Sequence, residues 1–375
     1  MRRHSLRLRL ARMLGGAGIL CCVAVAIGGC IAPPKLTITP IVTGLDHPWD
    51  IGFAGNTMIY TERPGRISAI VNGQKQLLAA PADVIQASEA GMMGLAVDPA
   101  FTTNRYIYTC FASTLGGPDG DVRLVRWTVN AGFTALTNRV DIVTGAPVNA
   151  SGELGRHSGC RPRFDSQARL WVGTGDAAVG TVPQNPTSLG GKVLRINRDG
   201  AGIAGNPGGT LDPRIYSYGH RNVQGIAFRP SDGFGVTTEH GPDRADELNA
   251  LVPGNFGWNP VPGYNEGVPM TDLGEFPNAV EALWDTGSRT FALAGATFIT
   301  GSQWKEWNGA LAIAMLKDAK LLLLELDASG HPVDAGIAIK NRGRLRSPVQ
   351  GPDGSLYITT DNGGGNDVIL KLTPN

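Results

Sequence analysis

Beyond residue 40 the chain repeats one pattern of apolar and polar positions: an apolar stretch of strand length, a short turn, a second apolar stretch, then a polar loop. Six copies occur, at residues 51–65, 95–113, 162–176, 226–241, 296–318 and 348–363. Their second strands centre near Tyr60, Tyr108, Trp171, Val236, Ala312 and Tyr357, which lie 48, 63, 65, 76 and 45 residues apart. Such spacing suits the blade of a β-propeller with loops of variable length. Each hairpin then forms the inner half of a four-stranded antiparallel blade, and residues 40–375 are expected to fold as an all-β, six-bladed propeller whose last blade ends with the tail after Pro374. A sandwich would not repeat one hairpin signature in this way, and a β-helix would repeat at a much shorter period.

In an antiparallel hairpin the start of the first strand and the end of the second lie at the same end. Residues just before and just after each copy are therefore expected on one face, around the axis. Before the copies stand Glu89, His157, Arg221, Asn222, Arg344 and Arg346; after them stand Glu62, Arg63, Asp176, Glu239 to Pro242, Lys317 and Asp361. The cations Arg221, Lys317, Arg344 and Arg346 converge there and repel one another unless something anionic sits among them. A ligand with several carboxylates would satisfy them, with bidentate contacts to the arginines.

Composition narrows the class. Glycine is 52 of 375 residues and proline 25, which disfavours long helices. Apolar content of 42% argues against disorder. A net charge of +1 gives no sign of a nucleic-acid partner. Neither a dinucleotide nor a P-loop fingerprint is present. Residues 1–12 are rich in arginine and free of acids, and residues 13–29 carry no charge, which is the layout of an export signal. The segment Ile27-Gly28-Gly29-Cys30 resembles the bacterial lipobox, which implies cleavage before Cys30, lipid on its sulfur, and a protein held on the extracytoplasmic side of the cell membrane. A plain transmembrane anchor is the alternative, although the segment is short for one. The export route stays open. Residues 30–39 then read as the lipidated cysteine and a proline-stiffened tether. Cys110 and Cys160 remain in the mature chain; a disulfide is the expectation for an exported protein, two buried free thiols the alternative.

The run Tyr218-Gly219-His220-Arg221-Asn222-Val223-Gln224-Gly225 resembles the signature of the soluble PQQ-dependent sugar dehydrogenases, the glucose/sorbosone and aldose sugar dehydrogenase family. The resemblance extends from about residue 40 to the C-terminus. It includes Leu45-Asp46-His47-Pro48-Trp49, Thr61-Glu62-Arg63, Gly91-Met92-Met93-Gly94-Leu95, Gly190-Gly191-Lys192, Glu239-His240-Gly241-Pro242 and Gly343-Arg344-Leu345-Arg346. It implies oxidation of an aldose at the anomeric carbon to a lactone, with PQQ and Ca²⁺ as cofactors and onward electron transfer to a quinone or cytochrome. His157 matches the family's general base, a role that suits an imidazole. Arg221 and Asn222 match the pair at the quinone oxygens, where Arg221 would stabilise developing negative charge. Lys317, Arg344 and Arg346 match the clamps on the cofactor's carboxylates. Gly241 and Pro242 match the positions whose main-chain carbonyls bind Ca²⁺.

The departures are as informative. Glu89 stands where some relatives have Gln against the cofactor, Arg156 where the glucose dehydrogenase branch has Asp, and Cys160 where Gly is usual. A bridge from Cys160 to Cys110 would stiffen the segment that carries His157. Asp246 and Glu247 are adjacent acids without EF-hand spacing. Trp49, Trp127, Trp258 and Trp284 are expected to pack between blades, with Trp258 and Tyr264 able to border the pocket mouth. His220 and His240 are expected to serve structural hydrogen bonding. Two rival functions stand beside the enzyme: a non-catalytic lipid-anchored propeller that binds a protein, glycan or cell-wall partner, and a Ca²⁺-dependent hydrolase, which the cationic centre disfavours.

Overall fold

The computed structural model describes residue 32, residues 34–149 and residues 153–375. Cys30, the signal segment 1–29 and the first part of the tether lie outside the described residues. The fold is a six-bladed propeller of antiparallel sheets, and helix among the described residues is confined to Phe101–Asn104 and a 3-10 turn at Ser302–Trp307. The blades open with the strands Pro48–Ala54, Met92–Val97, Arg161–Phe164, Val223–Phe228, Leu293–Phe298 and Leu345–Gln350. These six first strands pack one against the next in a closed ring, and the sixth returns to the first. The second strands contain the six expected centres, from Thr57–Glu62 in blade one to Leu356–Thr360 in blade six.

The strands show few polar positions because both faces of every blade are covered. Leu321 and Leu323 pack towards blade six, while Leu322 and Leu324 on the same strand pack towards blade four. Six apolar clusters fill the six gaps between neighbouring blades. Full burial of one such leucine is worth about 1.5–3 kcal/mol, so each seam is held by several side chains at once. Hairpins close where the sequence permits positive φ: Asn72 and Gly73 sit at φ 50° and 76°, the pattern of a type I′ turn.

Two boundaries differ from expectation. The outermost strand of blade six is Leu36–Leu45, which pairs antiparallel with Asp367–Pro374 from Leu36 opposite Pro374 to Leu45 opposite Asp367. Residues 36–39 therefore belong to the propeller rather than to the tether, and the ring is sealed by strands from both ends of the described chain. The third sheet also gains a fifth, parallel strand at Gly254–Asn255. It starts the long connection between Ala250 and Trp284, which crosses the top of the molecule.

On the axis, Asp50 of blade one is completely buried and ties the blades together. It accepts from Leu95 N of blade two at 3.0 Å, from Arg163 at 2.8 and 2.9 Å, and from Ser347 Oγ of blade six at 2.7 Å. Arg161 Nη1 lies 2.8 Å from the same carboxylate, while its Nε donates to Gln224 O of blade four at 2.8 Å. Burial alone would raise the Asp50 carboxyl, but Arg161 and Arg163 overcome it and hold the group well below the usual carboxylate range.

Candidate functional site

The register places the expected residues at one end of the ring. Pro48 pairs with Glu62, Val223 with Glu239, Leu293 with Met315 and Leu345 with Thr360. Residues flanking those pairs open into an axial cavity of about 370 Å³, in the lower part of the range for small-molecule sites. Of the residues singled out in the sequence, Glu89, His157, Arg221, Gly241, Pro242, Lys317, Arg344 and Arg346 all line it. Asn222 does not. It is fully buried behind Glu89, donating to Glu89 Oε2 at 3.0 Å and accepting from Gly159 N at 3.2 Å and Gln224 Nε2 at 3.1 Å. Its carboxamide is spent on holding the wall.

His157 sits in the left-handed region at φ 52°, which costs energy for a residue with a Cβ. The segment is held there from both sides. A Cβ on Gly175 would lie 1.9 Å from His157 O, so only glycine lets the neighbouring strand end lie against it. Three residues on, Cys160 is bonded to Cys110, which joins blade two to this segment. His157 Nδ1 lies 2.9 Å from Asp176 Oδ1 and 2.9 Å from Tyr264 Oη. Asp176 is inaccessible and fully hydrogen-bonded: Ala178 N donates to Oδ1, and Trp258 Nε1 and Tyr264 Oη each donate to Oδ2, all at 2.8 Å. Burial, reinforced by the Asp176 charge, pushes the Tyr264 phenol far above its ordinary value, so it stays a donor. The tautomer that satisfies this set has its proton on Nδ1 and its lone pair on Nε2, towards the cavity. Trp258 packs as expected and also orients the acid behind the imidazole.

Arg156 covers that lone pair, with its Nε 3.3 Å from His157 Nε2. Its Nη1 donates to Glu153 at 2.6 Å and its Nη2 to Glu266 at 2.7 Å, and its guanidinium lies over the Tyr264 ring. Glu266 also accepts from Arg221, which further donates to the carbonyls of His240 at 3.0 Å and Gly241 at 2.9 Å. Burial alone would raise the Glu266 carboxyl, but Arg221 and Arg156 hold it below its ordinary value. Glu266 escaped the sequence reading because it lies in the Ala250–Trp284 connection, far from any hairpin.

Across the cavity, Arg346 donates to Asp361 Oδ2 at 2.7 Å and Arg344 approaches the same oxygen at 3.8 Å, while His47 Nδ1 takes Oδ1 at 2.6 Å. Burial alone would raise Asp361, but Arg346, His47 and Arg63 hold it well below the carboxylate range. The floor is Trp49, whose ring is packed by the guanidiniums of Arg161 at 4.0 Å and Arg346 at 5.2 Å from the ring centre. This ring was expected between blades; it is buried, but it also forms the base of the site. His220 is structural, bonded to Ser217 and Glu239. His240 lines the cavity, and burial with the charges of Arg221 and Arg346 pulls its imidazole well below the ordinary value.

The donor set fits a polycarboxylate cofactor. Six cations line the cavity against one lining carboxylate, Glu89. Among the described residues Lys317 and Arg63 have no ion pair, and the buried Nε atoms of Arg63, Arg221 and Arg346 have no hydrogen-bond partner. Buried donors left in this way are costly until an acceptor reaches them. The fit to calcium is thinner. Gly241 O faces a cation already, Arg221, and no group of three or more His, Cys, Asp or Glu side chains suited to a metal occurs among the described residues. Calcium takes six to eight oxygens, so the protein by itself does not build its site. Asp246 and Glu247 engage different partners: Asp246 accepts from Gly241 N, Phe291 N and Ala292 N, whereas Glu247 faces Asn249 and Thr271.

Comparison with known proteins agrees with this architecture. The aldose sugar dehydrogenase YliI of Escherichia coli K12 is 27% identical, over 92% of this chain and 94% of that protein. The quinoprotein glucose dehydrogenase B of Acinetobacter calcoaceticus is 26% identical, over 86% and 85%. The PQQ-bound aldose sugar dehydrogenase of Streptomyces coelicolor superposes with a TM-score of 0.74 at 28% identity, covering 92% of this chain and 100% of that one. Residues 45–371 match the family described as Glucose / Sorbosone dehydrogenase, and the chain belongs to that family of sugar-oxidising enzymes.

Proposed function

We propose that this protein oxidises an aldose at its anomeric carbon to the lactone, using PQQ and Ca²⁺, with His157 as the general base. The observation that carries the reading is the juxtaposition of a buried Asp176–His157 pair with a cavity lined by six cations and one carboxylate, two of the cations, Lys317 and Arg63, having no ion pair among the described residues. Asp176 fixes the proton on Nδ1, so Nε2 carries the lone pair that, once Arg156 moves aside, accepts the proton of the sugar's anomeric hydroxyl. PQQ, when bound, supplies the two-electron acceptor for the hydride that leaves the same carbon. Lys317, Arg344 and Arg346 hold its carboxylates, and Arg221 supplies positive charge beside it. Gly241 and Pro242 would offer main-chain carbonyl oxygen to calcium, a hard cation that takes oxygen ligands. Substrate displaces Arg156 from the base, and Glu153 and Glu266 are placed to retain the guanidinium. In the same reading residues 1–29 are removed, lipid on Cys30 holds the propeller at the extracytoplasmic face of the cell membrane, and a quinone or cytochrome takes the electrons.

The test is a titration of the chain beginning after Cys30 with PQQ and Ca²⁺, followed by dye reduction with a panel of aldoses. Turnover that disappears in His157→Ala supports the reading. Failure to bind micromolar PQQ refutes it and selects the non-catalytic propeller, which Arg156 on the face of the base favours.

A further inference from the structure

The wall between blades six and one holds three guanidiniums, Arg63, Arg344 and Arg346, near one carboxylate. Both oxygens of that carboxylate are committed: Asp361 Oδ1 to His47, and Oδ2 to Arg346 with Arg344 beyond it. Arg63 is left over. Its backbone is pinned, N donating to His47 O and O accepting from Met92 N, each at 3.0 Å. Its side chain lies against Gly91, where a Cβ would come within 2.4 Å of Arg63 Cγ. The side chain lines the cavity, and its buried Nε has no acceptor. Burial first, and then the charges of Arg346 and Arg344 against the opposing pull of Asp361, weaken its hold on the proton. A guanidinium held here has no acceptor at its Nε and stands beside two like charges, and the carboxylate that attracts it is already committed to other donors.

We propose that Arg63 is a further anion-binding residue of this site, completing with Arg344 and Arg346 a three-guanidinium cradle for one carboxylate of a polycarboxylate ligand. The inference rests on the reading that the ligand is PQQ, a tricarboxylate, and adds a contact from blade one that the sequence resemblance does not assign.

The test compares the full chain, purified in detergent, as wild type, Arg63→Gln and Arg63→Lys. Thermal melting of each is measured alone, and binding by calorimetry with benzene-1,3,5-tricarboxylate and, separately, with PQQ. Arg63→Gln is expected to weaken both ligands about 10- to 100-fold, the loss of a charge-assisted contact. Arg63→Lys should restore only part of this, since it keeps the charge but not the fork. Without ligand, Arg63→Gln should melt at or above the wild-type temperature; a clear fall would assign Arg63 a structural role and overturn the proposal. Unchanged affinity of Arg63→Gln for PQQ overturns the cradle and leaves the enzyme reading intact. Wild-type binding of the benzene tricarboxylate that depends on Arg63, with no binding of PQQ, overturns the enzyme reading and supports the cradle. Binding of neither ligand overturns both.

Discussion

Asp176→Asn gives the sharpest separation between a proton-handling site and a merely well-packed one. The carboxylate receives two donors on each oxygen: His157 Nδ1 and Ala178 N on one, Trp258 Nε1 and Tyr264 Oη on the other. An amide keeps only one oxygen. If its NH₂ turns towards His157, the imidazole must move its proton to Nε2, and the base is lost. If the NH₂ turns the other way, it meets the Trp258 indole N–H, which cannot accept. Either way one buried donor, Ala178 N or Trp258 Nε1, is left without an acceptor, and the fold should lose about 1.5–3 kcal/mol. Unfolding entropy of about 2.1 cal/mol/K per residue over about 340 described residues converts this to a melting temperature lower by about 2–4 °C. The same exchange in a serine-protease triad lowers kcat about 10⁴-fold through the wrong tautomer; a fall of about 10³- to 10⁴-fold in kcat is expected here, with PQQ affinity little changed. The assay is saturating-sugar turnover beside a PQQ titration and a melt, with nitrogen-15 shifts of His157 reporting the tautomer directly. Trp258→Phe is the control: it removes one donor from the far oxygen, so it should lower the melting temperature yet keep the proton on Nδ1. A variant Asp176→Asn that melts early but turns over within about tenfold of wild type, with the proton still on Nδ1, would refute the reasoning.

Two further outcomes follow from buried groups elsewhere. Reducing the Cys110–Cys160 bond, or replacing both cysteines by serine, reopens a loop with a sequence separation of 50 and should cost about 4 kcal/mol, read as a melting temperature lower by about 6 °C. Lys192 is fully buried, its Nζ donating to the carbonyls of Val182, Pro183 and Gly190, and burial pulls it down to about 7 despite the nearby Asp176. Between pH 7 and 10 the unfolded chain binds this proton and the folded one releases it, so stability should rise with pH across that window, by at most about 1.4 kcal/mol per unit. Urea unfolding at pH 7 and pH 9.5 checks it; a rise that persists unchanged in Lys192→Met would assign the effect to other groups.

The blade pattern was legible because each seam is local in sequence. A hairpin such as residues 348–363 carries its own turn and its own apolar pairs, and packing between blades only repeats the requirement. The residues at the strand ends inherited their place from the antiparallel register, which is why His157, Arg221, Lys317, Arg344 and Arg346 meet where the sequence put them. What escaped depends on long-range closure. Glu266 reaches Arg221 and Arg156 only because the connection after Ala250 folds back over the axis. Trp49 reads as an ordinary core aromatic, and its second function comes from Arg161 and Arg346 arriving from blades three and six. Asn222 adjoins Arg221 in the chain, yet neighbouring residues point to opposite sides, so one faces the cavity and the other the wall. The strand Leu36–Leu45 has no turn linking it to its partner, and no local pattern can reveal a pairing across the whole chain.

That pairing also orders events in time. Leu36 meets Pro374, and Thr37 Oγ1 donates to Asn375 at 2.7 Å, a contact that spans 338 residues. A chain from which residues 367–375 have not yet emerged cannot form it. Five blades can collapse as they emerge, but the circle stays open until the last strand is delivered, and the uncovered edge of Asp367–Pro374 or Leu36–Leu45 is then an adhesive waiting for any strand. High sequence separation makes the closing step slow. The same clasp works in reverse once formed: peeling either end exposes an edge of blade six and loosens the seams to blades one and five, so the lifetime of the finished ring is set at its clasp rather than at its centre.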